Sequence, residues 1–260
     1  MRYALPHPSY QRPTIQEALC EIHFTRAAQS KWSPNRPSDI LNLLKDTYPD
    51  FETQTEPTFQ VSIGPEGALL PVAGPPRFKL KFARGDSPFI LQLTEGNFTI
   101  NTLTPYPGWA RLRAEFERVW PLLAGIILPA SVTRIGLRYI NRIVRKGASE
   151  VPGYWLKASD HIPMALLTSN PKYLVRLELR PTHTDRTLVT ISHDQTNPVE
   201  PFGSLMFDID RISETPLAPE IGVLSTIIES LHEDIWKIFV DAKNERLESL
   251  LKGEARESAA

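Results

Sequence analysis

The chain has 260 residues with 29 basic and 30 acidic side chains, and its formal net charge is −1. This length is enough for a large core, while the balanced charge argues against a protein that coats nucleic acid over its whole surface. Cys20 is the only cysteine, which excludes an intramolecular disulfide, and we find neither a signal-peptide pattern nor a long apolar run, so we expect a cytoplasmic protein with no membrane partner.

The first half of the sequence predicts a strand, a helix, several strands and a second helix. IQEALCEIHF alternates between apolar and polar residues, which places Cys20 on a buried strand face. The segment GPEGALLPVAGPP is typical of an exposed hairpin loop, and YPGWARLRAEFERVW has the apolar period of a helix that Pro121 kinks or ends. The remaining alternating segments predict strands at 51–63, 77–84, 88–95 and 97–104.

The second half repeats much of this order. RIGLRYINRI predicts a strand, residues 147–171 are irregular with one short helix, and a long amphipathic helix extends from about 219 to 252. Alternation predicts three further strands at 172–181, 186–194 and 204–212. We therefore predict an α+β fold of two similar halves, 1–125 and 126–260, in one compact unit. Each half is expected to be an antiparallel sheet covered by a long closing helix.

Two segments, PTIQEALCEIHF and RIGLRYINRI, resemble the signatures of an uncharacterised prokaryotic protein family that is sporadically distributed. YPGWARLRAEFERVW and LHEDIWKIFVDA are also similar to segments of that family, so the resemblance covers most of the chain. It implies no catalytic residue and no cofactor. A patchy distribution would suggest a mobile-element or defence context.

Three arginines, Arg134, Arg138 and Arg142, recur every four residues and share one face of the predicted strand. A salt-bridged sheet face is the first interpretation, and a site for an anion or a partner is the second. We expect Arg138 to be flanked by Glu178 and by Asp208 or Asp210. Nearer the end of the strand, Arg142 and Arg145 are predicted to be freer to meet a partner. If the partner is a nucleic acid, the three arginines of the strand together with Arg145 and Lys146 are the residues expected to bind its phosphates.

Other candidate residues give weaker signals. Trp32 and Trp155 are predicted in loops beside lysines, where an aromatic ring either binds a partner or anchors the loop to its own sheet. Asp208 and Asp210 have a D-x-D spacing that a metal ion could use with His193, although a polar strand face explains them as well. HEDIW, which contains His232 and Glu233, lacks the second histidine of a zinc-protease motif.

No constellation in the sequence is specific enough to indicate catalysis. We therefore favour a non-enzymatic binding or adaptor protein without a cofactor, which acts through protein–protein contact at the sheet surface between the closing helices. A nucleic-acid-binding component that uses the arginine-lined strand is the first alternative, and a metal-dependent hydrolase is the second. The apolar residues Trp236 and Leu247 widen the stripe of the last helix, which predicts a homodimer.

Overall fold

The computed structural model describes residues 10–27, 32–33, 35–63, 69–83, 85, 87–168, 172–193 and 198–254, with the backbone alone for 55–63 and 69–78. The described residues form nine strands, β1 (Ile15–Arg26), β2 (Asp50–Ile63), β3 (Leu69–Ala83), β4 (Phe89–Leu93), β5 (Asn97–Leu103), β6 (Pro129–Val144), β7 (Leu174–Leu179), β8 (Asp185–His193) and β9 (Ser204–Ser213). The helices are α1 (Arg36–Leu44), α2 (Trp109–Ile127), α3 (Pro152–Trp155), α4 (Ile221–Ala242) and α5 (Glu245–Lys252). Within these residues, no helix is long and apolar enough to cross a membrane.

All nine strands form one antiparallel sheet in the order β2-β3-β4-β5-β1-β6-β9-β8-β7. The α+β class is therefore confirmed, but the expectation of one sheet per half is wrong. The first strands of the two halves, β1 and β6, pair with each other at the centre and make the sheet continuous. In each half the last strand returns beside the first, because β5 pairs with β1 and β9 pairs with β6.

One face of the sheet, the helix face, is covered by α2 and α4, which contact β5, β6 and β9. Alternation builds this face, since every second residue of β1, from Ala18 to Phe24, is buried against the core. Cys20 is buried, as predicted, and its burial raises the pKa of the thiol. The opposite face, the polar face, carries the charged partners of the alternation, including Glu21, Arg138 and Asp208.

Helix α2 continues through Pro121 and ends at Ile127, so of the two predicted alternatives the one in which this proline ends the helix is wrong. Proline is tolerated there because the core packing of Trp120 and Leu123 holds the helix on both sides of it. The predicted boundary at 125–126 therefore falls inside a helix. The chain leaves the helix at Leu128, which has a φ of 54°.

The predicted closing helix 219–252 is two helices. Helix α4 ends at Ala242, and Asn244 caps the start of α5 by accepting hydrogen bonds from the backbone N–H groups of Arg246 and Leu247 at 3.0 and 3.1 Å. Leu247 is buried within the chain, and Trp236 packs on other rings of the same chain. The two apolar residues on which the homodimer prediction depends thus pack within their own chain. They give no support for self-association.

The segment GPEGALLPVAGPP differs from its prediction as an exposed loop. Residues 69–76 belong to β3, and 69–74 pair with β2 up to a register shift, while residues 64–68 lie outside the described residues. Its prolines are compatible with a strand, because among the described strands β3 has no second neighbour along this stretch. Its pairing with β4 covers only Leu80 to Ala83.

Candidate functional site

The arginines of β6 lie on the polar face, and each has an acidic partner. Arg134 forms an ion pair with Glu21 of β1 and contacts Nε2 of His23 at 2.7 Å. Burial alone would raise the pKa of Glu21, but the hydrogen bond from His23 and the charge of Arg134 outweigh it and lower the pKa to about 2. Arg134 therefore binds residues of the neighbouring strand β1 within the sheet.

Arg138 is held in the same way. Its Nε and NH2 atoms donate to the two carboxylate oxygens of Asp208 at 2.8 and 2.6 Å, a bidentate pair that raises the pKa of Arg138. The expected flank by Asp208 is confirmed. The expected flank by Glu178 is wrong, because β7 lies three strands away and Glu178 pairs with Arg180 at 2.9 Å.

The end of the strand is not free, in contrast to its prediction. Arg142 forms a bidentate pair with Glu200, and both side chains are largely buried. Arg145 is only 5% exposed, because the strand turns it toward the interior of a loop cluster. Lys146 is exposed, and its backbone N–H donates to Glu150.

Arg145 organises this cluster through backbone carbonyl groups. It donates to the carbonyls of Ala148, Glu150 and Phe202 at 3.0, 2.8 and 3.2 Å and contacts Nε2 of His193 at 3.0 Å. Backbone oxygens in a loop need such donors when they are buried. The position of Arg145 thus indicates a structural role for this residue.

Asp210 lies beside these pairs on the polar face. Burial raises its pKa to about 6, and the like charges of Asp208 and Glu21 add to the effect, while Arg134 and Arg138 oppose it. The carboxyl group of Asp210 therefore changes protonation closer to neutral pH than an ordinary aspartate does.

The proposed D-x-D metal group does not assemble. Asp208 is opposite Thr190 on the polar face, whereas His193 lies three positions further along β8 and points to the other side of the sheet. With Asp208 bound by Arg138 and His193 bound in the loop cluster, these residues cannot share one ion.

The two candidate tryptophans also pack against their own chain. Trp155 lies in the short helix α3 and not in a loop, and it is buried, which matches the alternative in which the ring packs against its own chain. Trp32 is half-buried, and its ring lies 5.4 Å from the guanidinium of Arg26 and 5.9 Å from that of Arg36. These contacts match the alternative in which the ring anchors a loop.

The structure reveals a different candidate site on the helix face. A pocket of about 550 Å³ lies between the start of α2, the middle of α4 and the central strands β6 and β9. Its volume is in the range of ligand-binding pockets. Aromatic rings supply much of its wall, among them Tyr106, Trp109, Tyr139 and Trp236.

Three titratable side chains of α4 meet at one wall of the pocket. His232 and Glu233 follow Glu229 by three and four residues, so both lie next to it on the surface of the helix. Their potential ligand atoms all lie within 4.8 Å of one another. In the sequence this group has the pattern E-x-x-H-E, which differs from the H-E-x-x-H spacing of zinc proteases and therefore gives no signal for that class.

The geometry of this wall is fixed by neighbouring groups. The ring of His232 stacks on Trp109 with a centroid distance of 4.1 Å and an interplanar angle of 5°. Oε2 of Glu229 accepts hydrogen bonds from Trp109 Nε1 at 3.2 Å and from Arg113 at 2.6 Å. Trp109, the first residue of α2, thus links the two closing helices at the pocket.

The floor contains a pair of buried hydroxyl groups. The hydroxyls of Tyr106 and Tyr139 are 2.9 Å apart, and burial raises the pKa of both tyrosines above its usual range. Both hydroxyl groups therefore stay protonated at neutral pH. Among the described residues that line the pocket, the charged ones are acidic, Glu229 and Glu233, and none is a lysine or arginine.

Comparisons with protein-family models, with curated proteins and with solved structures gave no match. The site is therefore interpreted from its own geometry.

Proposed function

We propose that this protein is a non-enzymatic binding protein, and that its pocket receives a basic side chain of a partner protein. One observation carries this proposal: a pocket with an aromatic wall and acidic charge lies between the two closing helices. Aromatic rings attract a cation through their faces, and two carboxylates of the lining, Glu233 and the Arg113-paired Glu229, add acidic charge that complements it. The apolar stem of a lysine or arginine matches the remaining wall.

The two alternatives have less support. On β6, Arg134, Arg138 and Arg142 already bind carboxylates, which weighs against a role for them in binding phosphates. For a metal-dependent function, the D-x-D group with His193 is no longer a candidate site. Another group of suitable ligand types is formed by Glu229, His232 and Glu233. Stabilisation by Zn²⁺ or Mn²⁺ that the substitution His232→Ala abolishes would favour this second candidate.

The test of the proposed function uses a variant that fills the pocket. Ala110 is exposed and lines the pocket, so Ala110→Trp should occupy it without disturbing the core. Ala130→Trp, at an exposed position at the start of β6, is the matched control. Peptides selected from a displayed library on the original protein should bind the control variant and lose at least tenfold in affinity for Ala110→Trp.

The selected peptides should share a lysine or arginine. In a selected peptide that carries an arginine, citrulline in its place keeps the shape of the side chain and removes its charge. This replacement should weaken binding by about tenfold or more. Fluorescence titration, with Trp109 and Trp236 as intrinsic probes, measures both effects. Peptides that bind equally to both tryptophan variants, or that bind as well with citrulline, would contradict the proposal.

We further propose that the two halves share one plan and that the chain belongs to the sporadic prokaryotic family that it resembles. Support comes from the strand order: in each half the first strand is central, the chain crosses to an outer strand and an antiparallel series returns to the first strand. A closing helix, α2 or α4, follows in both cases. The expected cytoplasmic location is part of the same proposal.

A further inference from the structure

Strand β7 ends the sheet, and among the described strands it pairs with β8 alone. The backbone N–H of His193 donates to the carbonyl of Tyr173 at 3.1 Å, and the register then continues without a shift. Because backbone groups alternate in direction along a strand, every second residue after Tyr173 faces β8. Leu174, Arg176 and Glu178 therefore direct their N–H and C=O groups away from the sheet.

This edge is short and carries two charged residues, but it lacks other features that protect an outer strand. It has no proline and no bulge, and Leu174 is 72% exposed. The side chains of Arg176 and Glu178 are exposed on the polar face, while Val175, Leu177 and Leu179 are only partly buried on the other face. The edge thus offers hydrogen-bonding groups, charges of both signs and apolar side chains.

We propose that β7 pairs antiparallel with β7 of a second copy of this chain, about a two-fold axis at Leu177. In this register Arg176 of each copy lies opposite Glu178 of the other, which makes two cross-strand ion pairs. The same two residues carry the outward backbone groups, so they also exchange main-chain hydrogen bonds. On the opposite face Leu177 meets its own counterpart.

The sequence LVRLEL favours a two-fold axis at Leu177 over an axis at either adjacent residue. An axis at Arg176 would place two arginines face to face, and an axis at Glu178 would place two glutamates face to face. Like charges directly opposite one another are unfavourable. The pattern is therefore self-complementary, as an isologous two-fold interface requires, and this favours a second copy over an unrelated strand.

The interface is small, so we expect a dimer that dissociates in the micromolar range. Its affinity comes from the backbone hydrogen bonds and the apolar contacts, while the exposed ion pairs fix the register. This self-association is independent of the pocket, whose lining residues come from other elements. It replaces the helix-based argument for a homodimer.

Sedimentation velocity from low to several hundred micromolar concentration tests the proposal. The original chain should dimerise, and Arg176→Glu and Glu178→Arg should each raise the dissociation constant at least tenfold, because each sets like charges opposite one another twice. Arg111→Glu, an exposed charge reversal on α2, should leave the dimer unchanged.

Mixing the two weakened variants gives the decisive result. One carries two glutamates and the other two arginines at these positions, so together they should form a heterodimer tighter than the original dimer. A monomeric original chain across the concentration range would overturn the proposal. A dimer that ignores both reversals, or a mixture that stays monomeric, would overturn it as well.

Discussion

The polar face and the pocket use charged residues in opposite ways. On the polar face, guanidinium groups and carboxylates satisfy each other across neighbouring strands, as Arg138 and Asp208 do. In the pocket, Glu229 is paired with Arg113 at 2.6 Å, whereas the described lining itself holds two carboxylates and aromatic walls but no lysine or arginine. A conspicuous run of charges thus marks pairing between strands of the sheet, whereas the candidate site depends on two carboxylates of one helix, α4, that lie beside aromatic rings from other elements.

The largest effect should come from breaking an ion pair of the polar face. Arg138→Ala leaves Asp208 without its bidentate partner and should lower the free energy of unfolding by about 1–3 kcal/mol. The structure leads us to expect a loss of similar size for Arg142→Ala, because Arg142 and Glu200 are only 22% and 19% exposed. This expectation replaces the prediction from the sequence, in which Arg142 was freer to meet a partner than Arg138.

Urea denaturation of both variants measures these losses, with Arg111→Ala at an exposed helical position as the control. If Arg142→Ala unfolds at the same denaturant concentration as the original chain, its pair with Glu200 does not contribute to stability.

A second effect of about 1–2 kcal/mol is expected for Asp210→Asn, and it should depend on pH. Because the pKa of Asp210 is raised from 3.8 to about 6, the folded state binds its proton more tightly than the unfolded state. This contribution is complete below pH 4 and is lost as the pH rises through about 6. The asparagine resembles the protonated acid, so the variant should be more stable than the original chain at pH 8 and equal near pH 4.

Thermal melts across this pH range test the sign. Asp208→Asn is the matched control and should destabilise the protein at pH 8, since Asp208 needs its charge to bind Arg138. A stability difference for Asp210→Asn that is constant with pH would show that ionisation of Asp210 is not its source.

The smallest effect concerns the hydroxyl pair on the pocket floor. Tyr106→Phe leaves the buried hydroxyl of Tyr139 without this partner and should cost about 1 kcal/mol. Replacing both tyrosines by phenylalanine removes the unsatisfied group and should cost no more than the single change. Additive losses in this double-mutant cycle, measured by thermal unfolding, would mean that the two hydroxyls are not coupled.

Local patterns predicted most strands and the buried face of β1, because alternation in a half-buried strand is a property of the segment itself. They could not predict the single sheet, since the β1–β6 pairing joins segments more than 100 residues apart. The break at Asn244 was missed because the apolar period continues across it.

The pocket was missed for a related reason. Its wall combines Trp109 at the start of one helix with His232 in another, and their stacking becomes visible only in three dimensions. The arginines of β6 gave a stronger local signal, but their role depended on acidic partners in other segments, such as Glu21 and Glu200.

The central position of β1 has a consequence for how the chain reaches its native state. Ala18 pairs with Thr102 on one side and with Tyr139 on the other, so neither neighbour exists when this strand leaves the ribosome. Contacts so distant in sequence require the closure of long loops and form slowly. Until β6 has been synthesised, one edge of β1 remains open to pairing with a strand of another nascent chain, and we expect chaperones to be needed most during this interval.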